Sequence, residues 1–157
     1  MLKISSKWSI ILSIALCIGF FLVCIVGLFI MPSLVEMLIK IPDTIGSRGE
    51  ITEGGKVFVL VLSYLAVVSG MVADALLIAL LQRVRNGKVF TNTSVLLIRA
   101  VSWCCFFVCV IFGLIGIYFQ LSYIVAFGVL LLGLCLRVIK NVLEEATAIK
   151  CENDLTV

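Results

Sequence analysis

Four apolar runs decide what this chain can fold into. Residues 8–30 carry no charge, with Ser9 and Ser13 as their only hydroxyls. Residues 57–81 are apolar apart from Ser63, Tyr64, Ser69 and one acid, Asp74. Residues 100–119 and 121–136 are uncharged. A helix needs about 20 apolar residues to cross about 30 Å of hydrocarbon. The fourth run reaches that length because Arg137 and Lys140 can snorkel while Val138, Ile139, Val142 and Leu143 continue its apolar face. The pattern predicts spans at 8–30, 57–81, 100–119 and 121–143.

Composition excludes the soluble alternative. The 157 residues are 63% hydrophobic and 13% charged, with mean hydropathy +1.30. Soluble domains lie near 45–50% apolar and about 25% charged, and a domain this small keeps too much surface to bury such an excess. The predicted fold class is all-α: an integral membrane four-helix bundle forming a single domain, 1–157. The first run has a basic start, Lys3 and Lys7, but is too long for a signal-peptide core. No small-x-small site follows it, so we read it as an uncleaved helix.

Lys and Arg positions set the expected orientation. Residues 82–99 hold Arg83, Arg85, Lys88 and Arg99 with no acid, whereas the cations of 31–56 are offset by Glu36, Asp43, Glu50 and Glu53. Both termini and the 82–99 corner are therefore expected in the cytoplasm, with nine of the twelve cations on that side. Residues 31–56 become the external loop. Its SLVEMLIKI portion reads as a short amphipathic turn on the membrane surface ended by Pro42, and the remainder as a connector. The bilayer that this implies is crossed with both ends inside.

Chemistry-bearing motifs are sparse. Six of the seven cysteines fall inside spans and the chain has no histidine. Neither a disulfide framework nor metal spacing is met. No phosphate-cradling glycine loop or nucleophile elbow is present, so no enzyme activity or cofactor is expected. Ala66, Gly70 and Asp74 fall four apart on one helix face, with Ser69 and Ala73 beside them. Small residues at that spacing let another helix approach, within the bundle or in a homo-oligomer.

Asp74 is the residue that the bilayer penalises. Seven residues before Leu81, it lies about 10 Å inside the span, where a carboxylate costs at least ~2.5 kcal/mol. It should find a partner, with Arg99, Arg137 or Ser102 as candidates. Two roles stay open: a polar clasp that fixes helix register, or a proton- or cation-handling group in a small oligomeric transporter or immunity-type protein.

The corner is unusually specific. Asn86-Gly87 is a helix stop, Gly87 supplying a left-handed residue. Thr91 is an N-cap, with Phe90 before it placed to staple onto Val95. Ser94 takes the third helical position, where a capping box prefers Glu or Gln. After the fourth run, RVIKNVLEEATAIKCENDLTV has no breaker before Asn153, so the fourth helix is expected to extend into the cytoplasm. The tail, 144–157, ends in an apolar Leu-Thr-Val, which suits docking.

These two stretches, LLQRVRNGKVFTNTSVLLIR and EATAIKCENDLTV, resemble the domain-of-unknown-function 2975 family. Gly87, Phe90 and Thr91 match its Gly-x-x-Phe-Thr corner, and Glu152, Asp154, Leu155, Thr156 and Val157 match its carboxyl end. The sequence departs from the family pattern at Thr93-Ser94 and Glu144-Glu145. The resemblance implies small four-span bacterial membrane proteins, often encoded beside a helix-turn-helix regulator. It therefore implies a regulatory membrane protein whose corner (Arg83, Arg85, Gly87, Lys88, Phe90, Thr91, Arg99) and tail dock such a partner, with no direct contact to nucleic acid.

Overall fold

The computed structural model describes residues 6–40, 52–87 and 90–155. They form four helices: α1 Ser6–Lys40, α2 Glu53–Arg85, α3 Asn92–Ile115 and α4 Ser122–Leu155. Each is long and apolar enough to cross a membrane. In hydrocarbon every backbone N–H and C=O must be satisfied within the protein, which leaves helices as the means of spanning for runs like these.

The first helix departs from the expected plan. Residues 33–40, most of the SLVEMLIKI stretch read from sequence as a surface turn, instead continue α1 past Pro32, which sits inside the helix. Proline has no N–H, so the carbonyl four residues earlier, that of Leu28, loses its helical donor. The structure supplies another: the Tyr64 hydroxyl of α2 donates to the Leu28 carbonyl at 3.2 Å. A neighbouring helix thus replaces the missing bond, and α1 continues. The second helix likewise begins earlier than the apolar run, at Glu53, where Lys56 pairs with Glu53 at 2.6 Å. The remainder of the expected external loop, 41–51, lies outside the described residues.

Among the described residues, helices approach closely only when they are neighbours in the chain: α1 with α2, α2 with α3, and α3 with α4. The expected four-helix bundle thus takes the form of a series, each helix packed on its chain neighbour. An apolar cavity of about 450 Å³ lies where α1 would close on α4, lined by Met31 and Leu38 of α1, Phe112 of α3 and Val125 of α4. Hydrophobic burial does not drive closure, because lipid tails are as apolar as the side chains they touch. Large side chains such as Trp8, Phe29 and Ile124 accordingly stand outward.

Two seams hold the series at its centre. Leu62 of α2 packs with Ile111 and Ile115 of α3, joined by Ala66 and Phe119, and the Phe58 and Tyr118 rings meet at 6.2 Å. The second seam joins α3 to α4. A Cβ on Gly133 would stand 3.2 Å from the Cys105 Cβ, and one on Gly116 would meet the Tyr123 ring at 2.8 Å. Both glycines are therefore where the helices touch. Across the same seam the buried Ser102 hydroxyl donates to the Gly133 carbonyl at 3.0 Å. Of the expected small-residue face, Ala66 joins the first seam and Ser69 and Asp74 are buried, but Gly70 is not a point of close approach, since a Cβ there would meet nothing within 4 Å.

The Tyr64 contact makes a sharp prediction. Tyr64→Phe leaves a carbonyl unsatisfied inside the helix pair and should lower stability by about 1–2 kcal/mol. In a Pro32→Ala background, where the backbone bond is restored, the same change should be nearly neutral. Thermal unfolding of the four chains in detergent checks the coupling, and additive effects would refute it.

Candidate functional site

At one end of the molecule, the end of α2, the start of α3 and the last turns of α4 come together. The α2 stop is built as the sequence suggests. Gly87 takes φ +72°, Asn86 N donates to the Gln82 carbonyl and Gly87 N to that of Val84, both at 3.1 Å. Arg83 and Arg85 occupy the last turn of α2, where cations complement the exposed carbonyl end of the helix dipole.

The α3 start is a hydroxyl pair. Thr91 caps the helix in an extended conformation, its side chain accepting from Ser94 N. The Thr91 and Ser94 hydroxyls lie 2.9 Å apart. Ser94 is 2% exposed, the most completely buried side chain of the described residues. This explains a serine where a capping box prefers Glu: a long acid would not fit under the corner, whereas a hydroxyl reaches the cap and stays buried. Phe90 remains exposed, whereas Val95 is buried.

The corner faces α4 across an open groove of about 670 Å³. Phe90, Thr91 and Asn92 form one wall, and Glu144, Thr147, Ala148 and Lys150 the other. Thr147 donates back to the Leu143 carbonyl at 2.7 Å. Glu144 ties the two walls together: Lys140 Nζ donates to its Oε2, and Arg99 Nη2 of α3 lies 4.0 Å from its Oε1. The Lys140 hydrogen bond, aided by the Lys140 and Arg99 charges, holds the Glu144 carboxyl below the ordinary range.

The remaining sequence-nominated residues divide between this site and others. Arg99 joins the groove through Glu144, and Glu152 lies on α4, exposed, two turns beyond it. Asp154 and Leu155 belong to the last turn of α4. Lys88, Thr156 and Val157 lie outside the described residues. Asp74 is elsewhere. It is 4% exposed and is placed near Cys17 of α1. None of the expected partners takes it: the Ser102 hydroxyl is on Gly133, Arg99 faces Glu144, and Arg137 lines a cleft between α3 and α4. Its Oδ2 has no hydrogen-bond partner among the described residues. Sequence reading did not single out Asn92, Thr147 or Lys140 and Glu144 as a pair, although the i, i+4 spacing of the last two is legible.

A chain whose four helices are each long and apolar enough to cross a membrane is a multi-pass membrane protein. A family model described as "Protein of unknown function (DUF2975)" matches residues 43–157, which take in α2, α3, α4 and the whole groove. The chain belongs to that family. No curated protein and no solved structure matches it.

If the two hydroxyls act as one cap, Thr91→Ala and Ser94→Ala should each destabilise by about 1 kcal/mol, and together by clearly less than the sum. Unfolding midpoints of the single and double variants test this, and full additivity would contradict it.

Proposed function

We propose that this is a regulatory or interaction protein of a bacterial cell membrane, not an enzyme, with both termini and the corner in the cytoplasm. The corner, 82–99, and the extension of α4 form a docking face for a soluble partner. The family resemblance suggests a helix-turn-helix regulator, held without direct contact between this chain and nucleic acid.

The observation that carries this reading is the groove between Phe90-Thr91-Asn92 and Glu144–Lys150. It is the place where exposed aromatic, hydroxyl, amide and charged groups from two helices converge, and it leads along α4 toward Glu152. Cation placement supports the orientation, because Arg83, Arg85, Arg99, Arg137, Lys140 and Lys150 all gather at this end. The length of α4 supports the extension. Its 34 residues rise about 51 Å, against about 30 Å of hydrocarbon.

A second reading rests on Asp74. A buried carboxylate with one oxygen lacking a partner among the described residues suits a small oligomeric transporter or immunity-type protein. One experiment separates the two. With an amino-terminal tag, the full chain, a chain ending at Glu152, and Asp74→Asn are crosslinked in cells, purified and their partners identified. Docking predicts a DNA-binding protein captured by the full chain and by Asp74→Asn, and lost from the truncation. Self-crosslinks alone, unchanged by truncation, with a resistance or transport phenotype lost in Asp74→Asn, would overturn docking in favour of the second reading.

A further inference from the structure

Behind the docking groove, deeper along the same α3–α4 seam, lies a separate cleft of about 390 Å³. Arg99, Ser102 and Trp103 of α3 line it with Arg137, Lys140 and Asn141 of α4. Three cations on two helices surround it, and the nearby carboxylate, Glu144, pairs with Lys140 and Arg99. Among the described residues Arg137 forms no ion pair. The cleft therefore keeps an excess of positive charge. Like charges so placed repel each other unless an anion joins them.

The depth of the cleft indicates which anion. Ser102, at its floor, belongs to the apolar run of α3, while Arg137 and Lys140 mark where α4 stops being uncharged. Trp103 stands 61% exposed at its rim, set edge-on against Phe106 with ring centres 6.2 Å apart. An outward tryptophan beside arginines at the end of an apolar run marks headgroup level. At that level the abundant anion is a phosphate, which guanidinium forks bind through paired N–H donors and ammonium groups as a point charge.

We propose that this cleft binds a phosphate group, with Arg137 and Arg99 as fork donors and Lys140 as the counter-charge. Asn141 adds an amide donor. The Ser102 hydroxyl, already donating to Gly133, keeps its oxygen free to accept a headgroup hydroxyl. An anionic phospholipid fits both ends of the site, its phosphate among the cations and its acyl chains along the lipid face beside Trp103. Inorganic phosphate offers the same chemistry without that apolar complement.

The test uses the full chain in nanodiscs of phosphatidylcholine, alone, with added phosphatidylglycerol, or with millimolar inorganic phosphate. Thermal unfolding and native mass spectrometry read stabilisation and retained lipid. Phosphatidylglycerol should raise the midpoint and remain bound. Arg137→Gln and Lys140→Gln should each weaken that effect by about fivefold or more. Arg137→Lys should keep much of it, and Arg85→Gln, an equal loss of charge outside the cleft, should keep all of it. Midpoints in phosphatidylcholine alone show that each variant folds. Stabilisation by inorganic phosphate at the same residues would support the site and assign it a soluble ligand. Equal responses in every variant, or no response to either anion, would overturn the proposal.

Discussion

The contact on which the rest of the described structure depends is the hydroxyl of Ser102 on the carbonyl of Gly133. Water does not compete for that carbonyl in the bilayer, and the missing Cβ of Gly133 lets Cys105 come close enough to hold the helices together. Once α4 is fixed there, helical geometry does the remainder. Gly133, Arg137, Lys140, Glu144 and Thr147 follow at spacings of four and three, which keeps them on one face. On α3 the matching series is Ser102, Arg99 and the corner. One seam therefore aligns the cationic cleft, the Glu144 bridge and the open groove in order toward the end of α4.

The attachment of α1 is of a different kind. Among the described residues it meets α2 alone, with the Tyr64 bond replacing the donor lost at Pro32 and Asp74 placed near Cys17. Both are polar features inside an apolar surface, and neither brings α1 to α3 or α4. The family match, which spans α2 to α4 and begins after α1 ends, follows the same division.

Much of the fold is legible in sequence because hydrocarbon permits so few solutions. Uncharged runs give the helices, Gly87 and Thr91 give the corner, and the absence of a breaker after Arg137 gives the long α4. What was not legible depended on partners in space. Residues 33–41 read as a separate surface turn until Tyr64 is seen to supply the donor that Pro32 removes, so that α1 continues. Asp74 could not be paired from its own helix, because its neighbour Cys17 is 57 positions earlier. Small residues mark where close packing is allowed, not where it happens: Gly133 is used and Gly70 is not. Phe90 and Thr91 were found from capping chemistry, whereas the opposite wall of the groove, Glu144 to Lys150, required knowing how α4 is rotated.

The central claim is that the corner and the α4 extension form one face. A photoreactive residue in place of Asn92, activated in intact membranes and mapped by mass spectrometry, reads this directly. The account predicts an intramolecular crosslink to the segment from Glu144 to Lys150. Crosslinks to lipid or to α1 alone, with none to that segment, would contradict it.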